Sequence, residues 1–177
     1  MSFGLDNRDT DIDKAITTAL TRGITIFAAA ANSGGNKPRA YPSDKQNAVI
    51  CIHASDGRGN NGKISPTPLA KGDNFSTLGI SIESKWKRSK VQISGTSFAT
   101  PIAVALAADV LEFARYKCLL SEYEQQCLYG FNGVTKILRL MSDERESYDY
   151  ITPQHLWKRE NTDEYIIGKI TSIAQSS

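Results

Sequence analysis

The chain has 177 residues, of which 40% are hydrophobic and 23% charged, a balance that suits one globular core and excludes a wholly disordered chain. Lys and Arg number 21 against 19 Asp and Glu, a formal charge of +2, too small for total charge to imply a polyanionic partner. No apolar run approaches the roughly 20 residues that span a bilayer, and the stretch Met1–Arg8 lacks the basic and apolar regions of a secretory signal.

Taken in chain order, Ile12, Ala15, Ile16, Ala19 and Leu20 form the apolar stripe of an amphipathic helix. Asp9, Asp11 and Asp13 crowd its start and Gly23 follows its end, so the helix is predicted from about Asp11 to Arg22. Ile24–Ala31 shows no polar alternation, as expected of a strand buried on both faces of a parallel sheet. A Gly- and Pro-rich loop, Asn32–Pro42, separates it from a second such run, Ala48–Ile52. Short strands are expected at Gly79–Ile82 and Val91–Ser94, with residues 83–90 as an exposed connection. Pro101–Ala108 is almost uniformly apolar. On a helix that pattern means burial on nearly every side, and Pro101 requires the helix to begin a few residues earlier, around Ser97. Val134, Ile137, Leu138 and Met141 mark a further helix. The end from about Arg159 is polar, with little core-forming material, and reads as a loose tail. The order of elements predicts an α/β fold with a mostly parallel sheet.

Cys51, Cys118 and Cys127 are an odd number without metal-type spacing and read as free thiols. With no visible signal sequence, they favour a reducing, cytoplasmic setting. Nothing in the sequence implies a cofactor or a metal.

The sharpest motif is Ser94–Pro101, reading S-G-T-S-F-A-T-P. It puts Ser97 at the start of a buried helix just after a glycine turn, where the helix dipole and free backbone N–H groups can stabilise an oxyanion. The plainer reading of such a serine is a helix N-cap. Ser94–Pro101 resembles the nucleophile motif G-T-S-x-A-x-P of the subtilisin-like (S8) serine peptidases, and further stretches match in family order. Met1–Gly4 resembles the strand that pairs with the substrate backbone. Phe27–Asn32 resembles the A-A-G-N segment holding an oxyanion asparagine. Tyr41-Pro42 with Ala48–Ile52 resembles the Y-P-A and V-I-x-V segment, and Asn74–Gly79 the F-S-x-x-G stretch.

The resemblance implies a three-layer α/β fold and a serine endopeptidase acting on polypeptides. Ser97 would be the nucleophile, Asn32 and the Ser97 N–H the oxyanion donors, and Ser2, Phe3, Gly4, Ala30 and Gly95 would contact substrate. Residues 1–116 would be the C-terminal part of such a domain, hence incomplete. Residues 117–158 resemble a helical extension of some fungal relatives, and 159–177 form the polar tail.

The family's D-x-G and H-G-T motifs, which carry the acid and the base, have no counterpart here. They would have to come from a preceding N-terminal half, as a partner or as further sequence. A serine without its base is nearly inert, so a second reading is a non-catalytic scaffold that binds a partner. His53 and His155 are the only histidines. His53 ends an apolar strand and reads as a core residue, His155 as solvated. Ala31 stands where the family has glycine, so the orientation of Asn32 depends on that position.

Three other readings fare worse. The order Ser97, Asp143, His155 fits an α/β-hydrolase, but Ala99 replaces the second elbow glycine and no oxyanion loop is present. Lys85–Lys90 is a basic patch with one aromatic, yet no second basic cluster supports a nucleic-acid interface, and it reads as a solvated loop. Asn32–Asn36 lacks the spacing of a phosphate loop.

Overall fold

Asp9 starts the first helix, α1 (Thr10–Thr21), by accepting hydrogen bonds from the Asp11 and Ile12 N–H groups at 2.8 and 3.1 Å, and Gly23 leaves it at φ +70°. The computed structural model describes residues 1–176. The strands are β1 (Ile26–Ala29), β2 (Val49–Ser55), β3 (Phe75–Leu78), β4 (Ile82–Trp86), β5 (Ser89–Ile93), β6 (Ser142–Arg145) and β7 (Tyr148–Ile151). The remaining helices are α2 (Thr96–Lys117), α3 (Glu122–Tyr129), α4 (Phe131–Leu140) and α5 (Asp163–Gln175).

The main sheet has the order β1-β2-β3-β7-β6, parallel except for the β6–β7 pair. All seven residues of β2 are buried, which is why its sequence shows no alternation. Alternate residues nevertheless serve different layers. Phe27, Ile50, Ile52, Ala54 and Phe75 join Ala99, Ala103, Ala107 and Val110 of α2 and the apolar faces of α4 and α5 in one core. On the opposite face Ala28 and Val49 pack with Ile16 of α1. The fold is thus a three-layer α/β arrangement, as expected.

Four sequence expectations differ from the structure. Residues 83–90 are not a loose connection: β4 and β5 pair from Ile82↔Ile93 to Trp86↔Ser89 as a separate antiparallel hairpin. The segment 117–158 is not only helical, because β6 and β7 add a hairpin to the main sheet. The polar tail contains α5, whose Ile166, Ile170 and Ala174 are buried; spacing of four residues puts them on one face. Finally, α2 is covered on one side only. Ala103, Ala107, Val110 and Ala114 are buried, whereas Pro101, Val104, Ala105 and Ala108 are exposed. By length and composition α2 could cross a membrane, yet its small residues are seated on the sheet.

Candidate active site

Gly95, where β5 gives way to α2, donates its N–H to the Gly79 carbonyl at 2.7 Å. This anchors the start of α2 to the end of β3. The approach is close: a Cβ added at Gly79 would lie 2.7 Å from Ala54 Cβ, 2.9 Å from Ala99 Cβ and 3.0 Å from the Gly95 carbonyl oxygen. The glycine of the F-S-x-x-G stretch is therefore what lets the helix start sit on the sheet.

The first turn of a helix leaves its N–H groups without helical partners, and here most of them are taken. The Thr96 N–H donates to Asn32 Oδ1 at 2.8 Å, and the Phe98 and Ala99 N–H groups both reach the Gly95 carbonyl, at 3.0 and 3.4 Å. Among the described residues the Ser97 N–H has no acceptor. The Thr96 hydroxyl also donates to Asn32 Oδ1, at 3.1 Å, and accepts from the Ala31 N–H at 3.4 Å. Two donors on Oδ1 turn the other end of the amide, Nδ2, outward. An added Cβ at Gly95 would be 3.2 Å from that nitrogen, so Nδ2 lies beside the turn that carries Ser97. Ser97 itself is half-buried, and its hydroxyl has no hydrogen-bond partner among the described residues. Thr96 is the residue that sequence reasoning passed over, although it stands inside the quoted motif.

Ala31 reaches this geometry at φ +125°, a region open chiefly to glycine. Ala31→Gly is therefore expected to stabilise the chain by about 1 kcal/mol, raising Tm by about 2–4 °C. A thermal melt reads this directly, and an unchanged or lower Tm would show the strain to be absent.

Met1–Leu5 runs along the outer edge of β1. The Met1 ammonium donates to the Phe27 carbonyl, the Ala29 N–H donates to the Met1 carbonyl at 2.9 Å, and Leu5 bridges Tyr41. Ser2, Phe3 and Gly4 are exposed between these anchors. A Cβ added at Gly4 would come within 2.4 Å of Ala40 Cβ, so the glycine serves the packing of this segment. Ala30 is fully buried, and Ala31 and Ser33, flanking Asn32, line a groove of about 570 Å³ with Leu5, Ala40 and Tyr41.

The histidines lie elsewhere. Cys51 and His53 alternate with the residues that face α2, so His53 points to the sheet face opposite the helix of Ser97. It is fully buried, with Nε2 3.7 Å from Cys51 Sγ and its ring edge-on to Tyr148 at 4.9 Å. Burial, aided by the Arg39 guanidinium, lowers its pKa to about 3. Such a group cannot serve as a base for Ser97.

Because the unfolded chain protonates this histidine below about 6.5 and the folded chain resists until about 3, stability is complete above pH 6.5 and lost as pH falls toward 3. By pH 4 the loss should be roughly 3 kcal/mol. Urea melts across that window test it: His53→Leu should flatten the profile, and an equally steep profile in the variant would assign the loss to other groups.

His155 is not merely solvated. Its Nε2 lies 2.5 Å from Asp143 Oδ2, in a pocket lined by Arg58, Arg145, Tyr150 and Lys158. Asp143 stands on β6, two strands and about 10 Å beyond β3, and no residue of Ser94–Pro101 lines this pocket. The two partners in hydrolase order meet each other without meeting Ser97. Cys51, Cys118 and Cys127 are free thiols.

Residues 1–129 match the Subtilase family, Peptidase S8. The chain is similar to subtilisin-like protease het-Q2 of Podospora anserina, 31% identical over 104 residues that cover 56% of this chain and 28% of that protein. It is also similar to M-protease of Shouchella clausii and subtilisin BL of Lederbergia lenta. Each is 29% identical over 109 residues, covering 61% of this chain and 28% and 39% of those proteins respectively. The chain thus spans roughly a quarter to two fifths of the length of these relatives. A solved structure of the prenylagaramide maturation protease PagA superposes with a TM-score of 0.67 at 20% identity, covering 96% of this chain and 60% of that one, which bears on the fold alone.

Proposed function

The chain belongs to the subtilase family of serine peptidases, and from that premise we propose that it is the nucleophile-bearing part of a serine endopeptidase. In this reading Ser97 attacks the peptide carbonyl, while its own N–H and Asn32 Nδ2 hold the developing oxyanion. Ser2, Phe3 and Gly4 line the extended substrate, with Ala30 and Gly95 at the adjoining pocket. The observation that supports this best is the pattern of donors at the start of α2, where Thr96 holds Asn32 by its oxygen and the Ser97 N–H alone is left unpaired among the described residues.

The acid and the base would come from sequence preceding Met1 or from a separate chain. The exposed apolar face of α2, Pro101, Val104, Ala105 and Ala108, is where that half would pack. The fungal likeness of residues 117–158 belongs to the same proposal. A fluorophosphonate probe tests it: Ser97 should be labelled in a chain extended upstream through D-x-G and H-G-T motifs, and labelling there should vanish in Ser97→Ala. Labelling that survives the substitution would remove Ser97 as nucleophile. Among the described residues the Ser97 hydroxyl has no hydrogen-bond partner and both histidines are engaged elsewhere, which favours a second reading, a non-catalytic binding scaffold; an extended chain that stays unlabelled would favour it over the first.

A further inference from the structure

The β4–β5 hairpin concentrates the positive charge of the whole molecule. Lys85, Lys87, Arg88 and Lys90 stand against Glu83, three positive charges in excess, in a chain of formal charge +2. The rest of the chain is therefore net acidic by one charge. All four cations are exposed, and none has an ion-pair partner among the described residues. Trp86, at the tip with them, is 68% exposed.

The hairpin is also built against local preference. Lys85 lies directly opposite Lys90, a like-charge pair that weakens an antiparallel ladder. Its two-residue turn, Lys87 and Arg88, adopts φ +46° and +71°, a conformation for which Asn-Gly is the usual choice. Sequences that break local rules at one place, without a packing gain, tend to do so where they bind something. Position identifies the binding partner further. The Ser81 N–H donates to Ser94 Oγ at 2.9 Å and Ile82 pairs with Ile93, so the hairpin springs directly from the turn that carries Ser97. It lies on the β3 side of that turn, whereas Ser2–Gly4 lies on the β1 side.

We infer that this hairpin is a docking element for an acidic segment of a polypeptide, engaged on the side of Ser97 opposite Ser2–Gly4. The inference rests on the endopeptidase reading for its substrate class. Four cations supply the charge complement and Trp86 an apolar contact beside them. One aromatic on a two-stranded tip is a small platform for a nucleic acid or a lipid surface.

The test is binding without cleavage, on the full chain, with a fluorescein-labelled oligoglutamate peptide read by anisotropy. Binding should fall as salt rises from about 50 to 500 mM. The variant with Lys85, Lys87, Arg88 and Lys90 all replaced by Gln should bind about sixteenfold more weakly, each exposed pair being worth roughly a factor of two. The double variant Lys85→Gln, Lys90→Gln removes the like-charge pair and so cannot weaken binding by melting the hairpin; it should still lose about fourfold. Peptide affinity unchanged in both variants would overturn the inference. So would hairpin-dependent binding of single-stranded oligonucleotide or anionic vesicles in preference to the peptide. The two proposals fail separately: an unlabelled Ser97 with intact peptide binding removes the nucleophile and keeps the docking element, and labelling with no peptide binding does the reverse.

Discussion

In a chain extended to include a family-type aspartate and histidine, Ser97→Ala is expected to lower kcat for peptide hydrolysis by about 10⁶, the loss known in this family for removing the nucleophile. Asn32→Ala should cost about 10²–10³, again the size measured in this family for one oxyanion donor. The difference between these figures has a structural origin. In the proposed reading, removing the serine hydroxyl would remove the covalent route itself, whereas removing Asn32 would leave the Ser97 N–H as the remaining oxyanion donor. Because the Thr96 hydroxyl donates to Asn32 Oδ1 at 3.1 Å, Thr96→Val should fall between wild type and Asn32→Ala, and the double variant should be little worse than Asn32→Ala alone. Steady-state kinetics on a peptide substrate measure all four. A kcat for Asn32→Ala within a factor of about two of wild type would mean that its amide is not aimed at the reacting carbonyl.

Gly79→Val is expected to destabilise the chain by about 3 kcal/mol and to disturb Ser97 more than its distance from the hydroxyl suggests. The added Cβ would meet Ala54 and Ala99 at 2.7 and 2.9 Å. Both are Cβ atoms fixed to a strand and a helix, with no flexible end to swing away. Either α2 lifts from β2 or the end of β3 moves, and each breaks the 2.7 Å bond from Gly95 N–H to the Gly79 carbonyl. A urea melt measures the loss; an unchanged midpoint would show that the sheet end yields freely. Gly79→Ala should act in the same direction with a smaller effect.

The residues around Ser97 were legible because each sits within a contiguous motif whose local chemistry is readable. Glycine before the turn, a threonine and serine at the helix start, and an asparagine after an apolar strand all mark their places in the fold locally. Which side of a strand a residue faces is a different matter. His53 and Ala54 are neighbours in sequence yet serve opposite layers, and only the position of α2 decides which one packs against that helix. The one-sided cover of α2 was hidden for a related reason: alanine and valine occur both against a sheet and on an exposed stripe.

Both missed hairpins share a cause. Their turns, Lys87-Arg88 and Glu146-Ser147, have positive φ at both positions without glycine or asparagine, so the usual turn signal is missing. In β6, Asp143, Glu144 and Arg145 read as surface because it is an edge strand. The helix α5 was obscured by the polar residues around its three buried positions, although Ile166, Ile170 and Ala174 keep a regular spacing of four.

The bare stripe along α2 couples the stability of this chain to any polypeptide that binds there. Any polypeptide that covers Pro101, Val104 and Ala108 in the folded state alone adds its binding free energy to stability, about 2.7 kcal/mol at one hundred times its Kd. A melting temperature measured on the isolated chain would then be the lower limit of a quantity that rises with the concentration of whatever seals that helix.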